Sequence, residues 1–183
     1  MIRSRDGQQL AADGFQQFFR LHASGVTLVT AHHQEPAGAV ATSFCSVSRR
    51  PPLLLVCLTR GSRTAAAIRH SGCFSVHLLR AEQIELCIRF AKAEADKGKA
   101  FEGLSISLVP VSPVGETVVV NGTLAWAVCS LWGESSAGDH SVLIGRMRQV
   151  NCSYGAPLVW HGSQQRRLAS TSHQPDLAEL QLF

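Results

Sequence analysis

The chain has 183 residues, 45% of them apolar, and a formal net charge of +4, with a mean hydropathy of +0.09. That length suits one domain with a sizeable core, and that apolar share excludes a disordered or heavily charged chain. The arginines fall as pairs and singles (Arg49-Arg50, Arg60, Arg63, Arg69, Arg166-Arg167) rather than as a stripe interleaved with aromatics; this argues against a nucleic-acid partner and suits contacts to a phosphorylated small molecule.

The elements follow in chain order. Asp13, with Gln16 three residues on, predicts a capped helix. It carries Phe15, Phe18, Phe19 and His22 at helical spacing and ends by Gly25. Val26 to His32 predicts a strand, Glu35-Pro36 a turn, and Gly38 to Ser46 a second strand lined with small residues. Small side chains allow a close approach to the backbone. Leu53 to Leu58 is a continuous apolar run, so a buried strand. A short helix over Ser62 to His70 and a strand over Cys73 to Leu79 come next. Ile84, Cys87, Ile88 and Ala91 form the apolar face of a third helix, and Lys92 to Gly103 predicts a charged surface loop. Ser105 to Val109 predicts a strand that Pro110 and Pro113 stop. From Val118 onward large residues alternate with small ones, and Asn121-Gly122 marks a tight turn between two strands. Ser141 to Val150 and Leu158 to Trp160 complete the strands; the tail after Ala169 has little pattern.

Seven or eight strands with three helices, not regularly alternating, predict a mainly β domain rather than a doubly wound sheet. The expected architecture is a closed antiparallel barrel with a few peripheral helices. It forms a single domain over residues 1–183, with its core at about 13–168 and a loose tail at 169–183. No apolar run approaches the ~18 residues of a membrane span. The first residues contain no apolar h-region, so no membrane association and a cytoplasmic location are expected. The cysteines at 45, 57, 73, 87, 129 and 152 form no Cys-x-x-Cys pair, which predicts reduced thiols rather than disulfides or a zinc site. The histidines show no metal-ligand spacing.

The segment from Ala41 to Leu79 carries most of the chemistry. A hydroxyl-rich strand leads into Pro51-Pro52, then an apolar strand, then a Gly-Ser-Arg-Thr corner opening an Ala-rich helix. A row of hydroxyl and backbone donors beside a helix N-terminus suits a ligand with a flat polar ring at one end and a phosphate at the other. Ser62 also fits plain helix capping, and the two roles are compatible.

Motifs in matching order then make a resemblance. SGVTLVTA (24–31), ATSFCSVSRRPPLLLVCLTRGSRT (41–64), SGCFSVHLL (71–79), FEG (101–103), NGTLAWAVC (121–129), GDHSVLIGRM (138–147) and PLVWHGSQQRRL (157–168) resemble the short-chain flavin reductases. These are the FMN-binding split-barrel reductase components of two-component flavin-dependent monooxygenases. The resemblance implies a split barrel, a homodimer, and hydride transfer from NADH or NADPH to FMN or FAD. Reduced flavin would then diffuse to a separate oxygenase.

Carried over by resemblance, Thr42, Ser43, Cys45, Ser46, Val47 and Ser48 border the isoalloxazine ring. Cys57, Leu58, Thr59 and Arg60 border the ribityl chain and phosphate, and Ser62, Arg63 and Thr64 hold the phosphate. Lys99, beside Phe101, stands one residue earlier than the family's basic residue. Asp139 fixes the turn that presents His140 to the nicotinamide. The family's aromatic near Gln165 is missing, which leaves Trp160 and Arg166 as its substitutes. Two alternatives remain open at this point: a flavin-binding barrel without efficient NAD(P)H-dependent reduction, and a flavin-free scaffold. No GxGxxG is present, so the dinucleotide would bind on the flavin face rather than in a Rossmann crevice.

Overall fold

The computed structural model describes residues 12–92 and 99–168. The tail expected at 169–183 and residues 93–98 of the charged loop lie outside them. The described residues hold three α-helices: α1 (Ala12–Arg20), α2 (Arg63–Ser71) and α3 (Ile84–Lys92). The strands are β1 (Ser24–Gly25), β2 (Thr27–His33), β3 (Glu35–Ala41), β4 (Phe44–Arg49), β5 (Pro52–Thr59), β6 (Cys73–Leu78), β7 (Ile106–Val111), β8 (Gly115–Val120), β9 (Ala125–Ala137), β10 (His140–Cys152), β11 (Val159–His161) and β12 (Gln164–Arg166). Among the described residues all pairings between strands are antiparallel. No helix among them is long and apolar enough to cross a membrane.

A seven-stranded sheet in the order β3-β2-β6-β9-β10-β5-β4 forms the body. Its edge strands, β3 and β4, follow one another in sequence yet share no ladder, so the barrel is split at that seam. This is why the single strand expected over Gly38 to Ser46 is two. The chain must leave one edge of the sheet and join the other, and it turns at Thr42-Ser43 to do so. β5 shows the alternation of a strand with one face inward: Leu54, Val56 and Leu58 are buried, Leu53, Leu55 and Cys57 half-buried. The inward residues pack with Val29, Ile68, Phe74 and Leu143.

On the strand expected to allow a close approach, one is made at Gly38, and by the protein itself. A Cβ there would lie 2.6 Å from the Phe90 ring. Phe90 and Phe101 meet edge-on over it, centroids 4.9 Å apart. Gly145 is likewise filled by Phe74, whose ring would lie 2.5 Å from an added Cβ. Both glycines exchange a side chain for ring-on-backbone packing.

Other expectations shift. α1 stops at Arg20, because Ser24 and Gly25 are drawn into pairing with Trp160 and Val159. On α3 the buried residues are Cys87 and Phe90, while Ile88 is exposed. β7 runs through Pro110, which an edge strand tolerates. Asn121-Gly122 does turn, with Gly122 at φ +79°, but it carries the chain from the β7–β8 sheet into the main sheet instead of closing a hairpin. Cys73, Cys87 and Cys129 are buried thiols; Cys45 and Cys152 are exposed.

His77 is fully buried and ties three strands together. Its Nδ1–H donates to the Leu28 carbonyl at 3.0 Å, and its Nε2 accepts the Val120 N–H at 3.0 Å. The second bond requires a neutral ring, and burial lowers the pKa from 6.5 to about 4. The unfolded chain therefore takes up a proton between those values that the folded chain refuses. Stability should fall as pH drops through that window, by about 3 kcal/mol at most from this group. Urea unfolding at pH 7.5 and 4.5 reads this, and a His77→Gln protein should lose less on acidification than the wild type; equal losses would remove His77 as the cause.

Candidate functional site

The site is assembled by one ladder. β5 and β10 pair in the register Thr59↔His140, Ser141↔Leu58 and Val142↔Cys57. At the Thr59 end, β5 turns through Arg60-Gly61-Ser62 into α2. At the His140 end, β10 meets β9 through the two-residue turn Gly138-Asp139, with Gly138 at φ +61°. Glycine in first place with positive φ is what a tight hairpin of this kind requires. The two turns, 78 residues apart in sequence for Arg60 and Gly138, are joined directly. The Arg60 N–H donates to the Asp139 carbonyl at 3.0 Å, and its guanidinium donates to the Gly138 carbonyl.

At the corner, Ser62 is buried with extended backbone (φ −68°, ψ 146°) and accepts the Ala65 N–H at 3.2 Å, the geometry of an N-cap. The first turn of α2 carries no acidic residue. Helix N-termini present backbone N–H groups and a positive dipole end, so this corner is suited to an anion. Thr64 is buried beside it.

At the hairpin, His140 Nδ1 lies 2.8 Å from Asp139 Oδ1. A carboxylate only accepts, so Nδ1 carries the hydrogen, and Nε2 is the nitrogen left to meet a ligand. The hydrogen bond from His140 holds the Asp139 carboxyl below its ordinary range.

The ribbon before β5 begins at the same end. Ser43 exchanges bonds with Cys57: its carbonyl accepts the Cys57 N–H, and its Oγ donates to the Cys57 carbonyl, each at 3.1 Å. A register shift between Ser46 and Ser48 leaves Val47 as the extra, exposed residue of a bulge. Cys45, Ser46 and Ser48 line an apolar groove of about 600 Å³ with Phe44, Leu54 and Met147. Thr42 lines a neighbouring cavity of about 330 Å³ with Phe15, Phe19 and Trp160.

The structure thus gathers Ser43, Cys57, Thr59, Arg60, Ser62, Thr64, Asp139 and His140 around one end of the β5–β10 ladder, with Cys45, Ser46 and Ser48 along its flank. Other expected residues stand elsewhere. Leu58 faces inward and is buried in the barrel core, because the β alternation assigns it there. Phe101 packs against Phe90 in the second core. Arg63 lines a cavity of about 220 Å³ with His33, Glu35 and His70 on the β3 side of α2. Lys99 sits on a 3-10 turn (Lys99–Phe101) whose backbone carbonyl accepts from Arg89 at 2.7 Å. Arg166 belongs to β12. At the position of the absent aromatic, the Gln165 amide donates to the Ala81 carbonyl. Sequence reasoning missed Arg69, which pairs with Glu134 across 65 residues of chain.

The sequence profile of the flavin reductase like domain matches residues 19–169. The actinorhodin polyketide dimerase of Streptomyces coelicolor is 37% identical over 140 residues, 75% of each chain. The flavin reductase (NADH) of Kitasatospora aureofaciens is 35% identical over 135 residues, 73% of this chain and 68% of that one. Among solved structures, BorF, the flavin reductase component of a bacterial two-component tryptophan halogenase, matches with a TM-score of 0.76 at 30% identity, covering 88% of this chain and 100% of BorF. The chain belongs to the flavin reductase like domain family.

Ser62→Ala should cost about 1 kcal/mol of stability through loss of the cap and also weaken FMN binding. Guanidinium unfolding and an FMN fluorescence titration measure the two effects; a loss of stability with unchanged FMN affinity would reduce Ser62 to a cap.

Proposed function

We propose that the protein reduces free FMN or FAD with NADH and releases the reduced flavin to a separate oxygenase, acting as a homodimer. The observation that carries this is the Thr59↔His140 register, which sets an anion-ready corner and a ligand-facing histidine side by side. The residues at that ladder fit a flavin with a phosphate. The first turn of α2, Ser62 and Thr64 would take the phosphate, Ser43 and Thr59 the polyol, and the Cys45–Ser48 ribbon the polar ring edge.

A bound flavin would supply N5 as the acceptor for the hydride from C4 of the nicotinamide. The protein's own residues do the holding. The ladder fixes both turns, and the His140 imidazole, oriented through Nδ1 by Asp139, offers Nε2 to the carboxamide or to a ring edge. Hydride transfer needs no side-chain acid or base, only alignment at near-contact distance, so a triad or paired carboxylates are not required. The choice of NADH follows the Kitasatospora relative, a flavin reductase (NADH), and a separate flavin-using partner follows BorF, the reductase component of a two-component halogenase.

Support for the dimer comes from the outer face of the same ladder. Leu53, Leu55, Cys57, Val142 and Ile144 share it by register, and all are half-buried in the single chain. An apolar sheet face of this kind suits a second copy.

The likeness to a polyketide dimerase favours a second reading, in which the barrel binds flavin for another reaction. NADH oxidation with and without added FMN or FAD separates the two. Oxidation that depends on flavin is expected; a protein that retains flavin but leaves NADH untouched would support the second reading. His140→Ala should lower turnover by about tenfold or more while changing FMN affinity little. An unchanged kcat would remove the histidine from the hydride step.

A further inference from the structure

The corner and the hairpin meet at their tips, and both tips are exposed turns containing glycine, Gly61 and Gly138. The β5–β10 ladder fixes their roots. The tips are bonded to each other through Arg60, and behind them lies a second, side-chain network centred on Arg69 in the last turn of α2.

Arg69 uses its whole fork. Nε donates to both Glu134 carboxylate oxygens at 3.0 Å, and Nη2 to Oε1 at 2.8 Å. Nη2 also donates to Ser141 Oγ at 3.0 Å. Both Nη atoms reach the Arg60 carbonyl at 3.4 Å. Glu134 lies on β9 and Ser141 on β10, one residue past His140. The guanidinium therefore touches the corner, both strands of the hairpin and the helix that opens at the phosphate end. Its pKa is raised by the bond to Glu134, whose own is lowered first by that bond and then by the Ser141 hydroxyl. The two side chains are only 33% and 25% exposed. A lysine could keep the charge, but a single ammonium has no planar fork to reach these acceptors together.

We propose that Arg69, paired with Glu134, is a positioning residue that sets how far the phosphate-binding corner stands from His140. The inference rests on the assignment of those two turns to opposite ends of the reacting pair. Ring-to-ring alignment is sensitive to small displacements, so a looser tip should reduce turnover more than affinity.

The test compares Arg69→Lys with the wild type in three readouts: FMN affinity by fluorescence, kcat for NADH at saturating FMN, and hydrogen exchange at the Arg60 and His140 amides. The expected result is a kcat lower by about tenfold, FMN affinity within about threefold, and faster exchange at those amides with the sheet core unchanged. Glu134→Gln keeps the shape, loses the charge, and should move the same readouts the same way; it also serves if the lysine variant fails to fold. A lower melting temperature with wild-type kcat and exchange marks a plain stabilising pair and overturns the proposal. Wild-type protein with no flavin-dependent NADH oxidation would instead sink the functional reading, and the exchange comparison would still decide whether Arg69 spaces the turns.

Discussion

The register of one strand pair governs everything built on it. β10 lies against β5 so that His140 faces Thr59 and Ser141 faces Leu58. Along both strands alternate residues point inward, where Leu58, Ser141 and Leu143 are buried. A slip of one residue would exchange the faces, placing His140 in the core and Ser141 at the rim. The same slip would part the Arg60 N–H from the Asp139 carbonyl. Hydrophobic alternation, a packing constraint, therefore decides which side chain stands at the rim and which in the core. Close packing in the core reinforces it: Phe74 rests on Gly145 in the middle of β10 and leaves no space for a shifted register.

The split in the barrel has its own use. β4 is an edge strand, and an edge carries backbone donors and acceptors that no neighbouring strand pairs. In a structure without a ligand such an edge is an aggregation hazard. Here it is short, bulged at Val47 and rich in Ser, so its polar groups are available to a flat heteroaromatic ring. The two-sidedness of β5 completes the arrangement, with a buried face toward the core and an outer apolar face available to a second copy.

Much of this was legible in the sequence, for physical reasons that differ by element. β5 and α2 announce themselves because a continuous apolar run and a Ser-capped, Ala-rich segment each obey one local rule. The Gly-Asp-His turn was legible as a motif by resemblance, and its two-residue geometry follows from glycine in first place. Long-range commitments were not legible. Nothing local says that the chain crosses the seam at Thr42, or that Asn121-Gly122 changes sheets instead of closing a hairpin. A close approach to the small-residue strand was anticipated, but the approaching group, Phe90, lies 52 residues away in sequence. Arg63 was expected at the phosphate because it opens the helix, and it also lines a cavity with His33 and His70 that no local signal announced. Arg69, six residues further on, stood out only as one of the scattered arginines, and its partner Glu134 sits in a distant strand. Local chemistry thus locates the corner, while the contacts of its arginines are set by distant segments.

The central claim is that the corner after β5 takes the phosphate of a flavin whose ring lies along the β4 ribbon. Parallel titrations of the purified protein with FMN and with riboflavin, which lacks the phosphate, test it most directly. The account predicts FMN binding at least about tenfold tighter than riboflavin, with the difference shrinking as salt rises. Equal affinity for the two, or no saturable binding of either, would contradict it.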